Sequence, residues 1–227
     1  EHLAKWPRGV TADESWWRLA LLREHRRAWR QAIQAYRAVS VDFANYEAVV
    51  RGAARSYDGL LGELRSSGKP LGQEADQAAR YFEKVILGSD GKLPERWSPL
   101  ARFAAVTAAR TRLQYTSEGF QAVQSILQAS LDAGGDLPQP WRTTAQSLLV
   151  VALAGQGRLD EAKQVLTRIS SEQPAPLLEM LAGLSKVTQS ATGQVRAELA
   201  RLQLSAVQML QEQAAQLDSS ARLALNQ

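Results

Sequence analysis

The chain has 227 residues, of which 45% are hydrophobic and 22% charged, with 15 glycines and 8 prolines; this is the composition of a folded globular protein and excludes a disordered one. It contains no cysteine, which removes disulfides, thiolate metal sites and cysteine nucleophiles together. A formal charge of +4, from 27 basic and 23 acidic residues, is too slight an excess to argue for a nucleic-acid partner.

The opening Glu1-His2-Leu3-Ala4-Lys5-Trp6-Pro7 has neither an initiator methionine nor a signal-peptide pattern, so the chain is expected to be a piece of a longer protein, and the sequence assigns it no compartment. Apolar residues then recur at three and four positions, the spacing of helices and not of strands. Thr11 and Glu14 have capping-box spacing, and Trp16, Leu19 and Ala20 mark the first helix. Ala32, Ile33, Tyr36 and Val39 mark the second. Ser66-Ser67-Gly68-Lys69-Pro70 and Gly88-Ser89-Asp90-Gly91 break the pattern. Ser98-Pro99 supplies an N-cap followed by proline at the first helical position, where its missing N–H costs nothing. After Ala133-Gly134-Gly135-Asp136 comes the longest apolar run, Leu148 to Ala154, far below the roughly 20 residues that span a bilayer. It continues a helical pattern begun at Trp141 and stops at Gly155-Gln156-Gly157, so it reads as a buried helix ended by its glycine. With Pro174-Ala175-Pro176, these breakers cut the chain into about nine or ten helices.

Internal repetition is the most informative feature. Leu93-Pro94-x-x-Trp97-x-x-x-Ala101 returns 44 residues later as Leu137-Pro138-x-x-Trp141-x-x-x-Ala145. Leu153-Ala-Gly-Gln-Gly157-Arg-Leu-Asp-Glu161-Ala162-Lys-Gln-Val-Leu166 resembles the turn and second helix of a tetratricopeptide repeat, closed by Pro174. A second hairpin, marked by Trp16, Leu19, Ala20, Ala32 and Tyr36, is similar to the same pattern. Second-helix alanines at 32, 78, 122, 162 and 206 are 46, 44, 40 and 44 residues apart, where that family repeats every 34 and HEAT-type hairpins every 40–47. The resemblance implies an all-α fold: a right-handed α-solenoid of about five irregular hairpins, in one domain over residues 1–227, each hairpin burying a face that it cannot bury alone.

Catalytic constellations are not found. The two histidines, His2 and His25, cannot pair at metal-ligand spacing on a helix, and no metal or cofactor is expected. Gly68-Lys69 lacks the first glycine and the Ser/Thr of a phosphate loop, with Glu63 and Pro70 in those places; Gly91-Lys92 fails likewise, with Ile86 and Leu93. There is no Gly-x-Ser-x-Gly elbow. Asp160 and Glu161 are adjacent, so they cannot face each other as an acid and base pair would.

The family likeness therefore implies a non-catalytic scaffold that binds a protein or peptide segment. In that register Trp16 is core, and Glu14, Trp17, Leu21, Glu24 and His25 line the concave surface on which the family holds its ligands. Arg23, Arg26, Arg27, Arg30 and Arg37 would fall on one arc of an unbroken helix, but Trp16, Leu19 and Ala20 share that arc; the helix must turn near Arg26 to Trp29. The arginines then read as solvated helix ends, with an anion-binding module for nucleic acid or acidic lipid as the alternative reading and a helical accessory domain of a larger enzyme as a third.

The repeat register makes one stability prediction. Ala162→Asp should cost several kcal/mol by overpacking and by burying a carboxylate where two helices approach. Asp160→Ala should cost about 1 kcal/mol at most. Thermal melting checks this, and equal melting temperatures for Ala162→Asp and the parent would remove the register.

Overall fold

Alanine, leucine, glutamine and arginine favour helix, and a computed structural model contains ten helices and no strand among the residues it describes. These are 11–87, 91–116, 119–134, 138–169 and 174–225, with side chains described through 215. In chain order the helices are α1 (Ala12–His25), α2 (Trp29–Arg37), α3 (Tyr46–Ser66), α4 (Gly72–Ile86), α5 (Pro99–Tyr115), α6 (Phe120–Asp132), α7 (Gln139–Gly155), α8 (Leu159–Leu166), α9 (Pro174–Ser190) and α10 (Gly193–Leu225). No described helix is long and apolar enough to cross a membrane. The chain forms two compact units, Glu1–Tyr81 and Phe82–Gln227, and the division falls within α4.

In the first unit α1, α2 and α3 pack on one another in all three pairings. The turn expected near Arg26 to Trp29 is present, with Arg27 in the left-handed region at φ 56°. The expected capping box is absent: Thr11 forms no side-chain capping bond, Glu14 pairs instead with Arg18 at 2.6 Å, and Asp13 accepts the backbone N–H of Ser40 at 2.8 Å. The first-turn acids are thus drawn to partners along and beyond the helix, and α1 is fastened to the end of α2.

The α2–α3 contact depends on two glycines. A side chain at Gly52 would overlap the ring of Tyr36, and one at Gly59 would lie 2.7 Å from the indole of Trp29. Trp29 and Tyr36 are seven residues apart on α2, as are Gly52 and Gly59 on α3, so two rings spaced by two turns drop into two matching gaps on an antiparallel neighbour.

The second unit is a run of hairpins. Helix α5 packs on α6 and α7, α6 on α7, α7 on α8 and α9, and α10 on both α9 and α8. Helices α5, α7 and α9 each have 17 residues. Ser98 caps α5 as expected, accepting from the N–H of Ala101 at 3.1 Å. Helix α7 is enclosed: Thr143, Ala145 and every residue from Ser147 to Ala154 are buried, as befits a helix apolar all round. Gly157 ends that segment in the left-handed conformation expected of it, φ 74°. Buried threonines in α5 satisfy their hydroxyls locally, Thr107 on the Phe103 carbonyl and Thr111 on that of Thr107, each at 2.9 Å.

Ala32, Ala78, Ala162 and Ala206 are fully buried. Ala122 is exposed, and Val123, Leu127 and Ser130 form the inner face of α6. The repeat marker is therefore one residue out of register there, because the larger Val123 and Leu127 decide which face turns inward. The two tryptophans of the Leu-Pro-x-x-Trp repeat also differ in setting: Trp97 is buried just before α5 begins, whereas Trp141 lies within α7 and donates its indole N–H to the Arg102 carbonyl at 3.2 Å.

If the ring seats fix the α2–α3 approach, two glycine-to-alanine changes on α3 should have opposite signs. Gly59→Ala should destabilise by ~1–3 kcal/mol despite the better helix propensity of alanine. Gly62→Ala, at an exposed position with nothing within 4 Å, should stabilise by ~0.5–1 kcal/mol. Urea unfolding of the two variants checks the signs; stabilisation by both would remove the seat at Gly59.

Candidate interaction surface

The residues singled out on α1 do not all play one part. Trp17 is half-buried and meets Phe43 with ring centroids 5.7 Å apart; its indole N–H is buried with no acceptor among the described residues. Trp16 is half-buried too, and both indoles pack against the cluster of Ala20, Ala32, Tyr36, Val49 and their neighbours. The expected division into one core and one outward tryptophan is not what the helix does, because Phe43 in the α2–α3 connection gives Trp17 an apolar partner of its own. Leu21 and His25 are exposed.

Glu24 is a joint between helices. Its side chain is 16% exposed and receives the Tyr36 hydroxyl of α2 together with Nε and Nη2 of Arg55 on α3, the latter two at 2.6 and 3.3 Å. One carboxylate from α1 is thereby held by donors from both other helices, the charge-assisted arrangement that makes such bonds strong.

Of the five arginines, Arg23 donates to the Gln31 carbonyl at 3.1 Å and Arg30 pairs with Glu74. Arg37 lies beside Tyr57, where its charge opposes the effect of burial on that hydroxyl. Arg26 and Arg27 are exposed at the α1–α2 turn and make no ion pair among the described residues. The set is split between two helices.

Four tyrosines of the first unit share one electrostatic condition. Tyr36, Tyr46, Tyr57 and Tyr81 all have hydroxyl pKa values raised, chiefly by desolvation, since burial penalises the phenolate. At Tyr36 the bonded Glu24 carboxylate adds to the shift.

In the second unit a polar clasp joins α5 to α9, with α7 packed against both. Arg110 grips Glu179 with both arms of its fork, Nε to Oε1 at 2.5 Å and Nη2 to Oε2 at 3.0 Å, and Gln114 adds a bond to Glu179 at 3.3 Å. Two turns along α9, the Lys186 ammonium reaches the carbonyls of Leu113, Gln114 and Thr116 at 3.1–3.3 Å. Desolvation lowers its pKa. Nothing in local spacing could have disclosed this group, because its partners are 65 to 73 residues apart.

A second network closes the α7–α8 turn. Gln156 donates to Gln124 and to the carbonyls of Phe120 and Ala152, and Arg158 forks Glu161 at 2.7 and 2.6 Å. That hydrogen bond holds the Glu161 carboxyl below its usual range. An open cleft of about 550 Å³ lies where α4 ends and α5 begins, lined by Val85, Leu87, Lys92, Pro94 and Arg96 among others. Among the described residues no group of three or more His, Asp or Glu could hold a metal ion. Comparison with protein-family models, curated proteins and solved structures finds no match to this chain.

The raised tyrosine values carry a pH dependence. Each hydroxyl is held neutral above its ordinary value of 10.0, so as pH rises the unfolded chain releases those protons first. The contribution of these tyrosines to stability should be flat up to about pH 10 and fall above it, by at most ~1.4 kcal/mol per pH unit for each tyrosine. Urea unfolding across alkaline pH, with tyrosinate absorbance recorded alongside, checks the sign. Tyrosinate absorbance worth more than one of the five tyrosines of the chain, appearing while the helical signal is intact, would contradict it.

Proposed function

We propose that this chain is a non-catalytic scaffold of tetratricopeptide-like hairpins, stacked as a right-handed α-solenoid, whose first-helix face holds a protein or peptide segment. The observation that carries this reading is the equal length and shared packing of α5, α7 and α9. Each opens a hairpin, each has 17 residues, and α7 lies against both of the others. Their starts, Pro99, Gln139 and Pro174, are separated by 40 and then 35 residues, and the second interval is close to the family period of 34. Repeats of this kind bury a shared core and leave a long surface for a partner.

The polar groups support the same reading. Half-buried carboxylates are tied to arginines of other helices, as at Glu24 with Arg55 and Glu179 with Arg110, an arrangement that fixes helices relative to one another. An anion-binding stripe on the α1 and α2 arginines is less well supported, because Arg23 and Arg30 are engaged within the fold.

Site-specific photocrosslinking in the cells that make the protein tests the reading. A photoreactive residue at exposed first-helix positions, Leu21 and His25 on α1 and Gln114 on α5, should give an adduct with one defined protein. The same residue at exposed second-helix positions, Gln34 on α2, Gln128 on α6 and Gln164 on α8, should give none. No adduct at the first-helix positions, or equal adducts at both sets, would overturn the proposal.

A further inference from the structure

Helix α10 turns one apolar stripe inward and shows a second to solvent. Leu199, Leu202 and Ala206 are buried, with Met209 packed partly against the same core. At 100° per residue, Ala197, Ala200, Leu204 and Val207 fall within about 80° of arc on the opposite side. All four are exposed, Leu204 at 58% and Val207 at 37%. Their spacing of three, four and three is that of a coiled-coil seam, and the two alanines would let another helix axis come close.

Charge decides what fits. Arg196 and Arg201 are exposed and flank the stripe on either side, at the positions equivalent to g and e of a heptad. Neither makes an ion pair among the described residues. The acid between them in sequence, Glu198, is turned inward to Lys163 of α8 at 3.2 Å. The outer seam is thus apolar with uncompensated positive edges. Self-pairing would bring these arginines towards one another, and the small alanines give a membrane little to insert. From this charge pattern we infer that the outer face of α10 receives an amphipathic helix of another protein, with acidic residues flanking its apolar seam. This face is separate from the first-helix surface of the preceding proposal, so either can stand without the other.

The test uses the whole chain and a synthetic three-heptad helix with leucine at a and d and glutamate at e and g, titrated by fluorescence anisotropy. The glutamate peptide should bind at least about 10-fold more tightly than its lysine-flanked counterpart. Leu204→Glu should weaken it by at least about 10-fold, with the melting temperature retained because the side chain is exposed. In the double variant Arg196→Glu with Arg201→Glu, the preference between the two peptides should reverse. Equal binding of both peptides, no binding of either, or indifference to Leu204→Glu would overturn the inference. So would a dimer of the chain that Leu204→Glu dissolves, or partition onto phosphatidylserine-containing vesicles that Leu204→Glu abolishes, since these would give the face to a second copy or to a lipid surface. Failure here leaves the crosslinking pattern expected of the first-helix face unaffected, and failure there leaves the peptide preference unaffected.

Discussion

The constraint on which the rest of the structure depends is the separation at which its helices pack. In three helix pairs a bulky side chain of one helix occupies the space that a glycine of the next leaves open: Trp29 and Tyr36 on Gly59 and Gly52, Phe120 on Gly155, and Val151 on Gly183. Dispersion is weak for each atom pair and falls away quickly with a gap, so a helix seated in this way is held at one distance and one rotation. The polar contacts are secondary to that placement. Glu24 meets Tyr36 and Arg55 because the ring of Tyr36 is already fixed over Gly52, and Arg110 finds Glu179 because α5 and α9 both rest on α7.

Features carried by local chemistry were legible in the sequence. Ser98-Pro99 and Gly157 act through a backbone preference of the residues themselves, the turn between His25 and Trp29 follows from two incompatible faces on one arc, and each is present. The all-helical composition was legible for the same reason. Where a side chain had a choice of partner, sequence spacing misled. Glu14 reaches Arg18 and Asp13 reaches Ser40, so the box at Thr11 does not close. At α6 the alanine pattern pointed to Ala122, but burial follows the larger apolar surfaces of Val123 and Leu127.

The candidate surfaces were harder to read, for a physical reason. A side chain's exposure depends on what the rest of the chain brings to it. Trp17 looked outward by its place on α1 until Phe43, 26 residues on, covered one side of it. The Arg110–Glu179 clasp and the Lys186 contacts join helices that are distant in sequence, and no periodicity announces them. By contrast, the alternation of faces on α10 is a property of one helix, and its two stripes can be counted from the sequence once burial shows which is inside.

The Lys186 contact has an electrical consequence. Moving along α5 from Arg110 to Thr116 matches moving along α9 from Glu179 to Lys186, so these two helices run in the same direction and their peptide dipoles reinforce. At the edge of the second unit towards which the α5 carbonyls point, the last turn of that helix is locally negative by virtue of the backbone itself. The Lys186 ammonium sits against that edge at the end of α5 and offsets it where the carbonyls would otherwise lack donors. This polarity belongs to chain direction and not to the tally of basic and acidic residues, and neutralising the surface arginines would leave it in place.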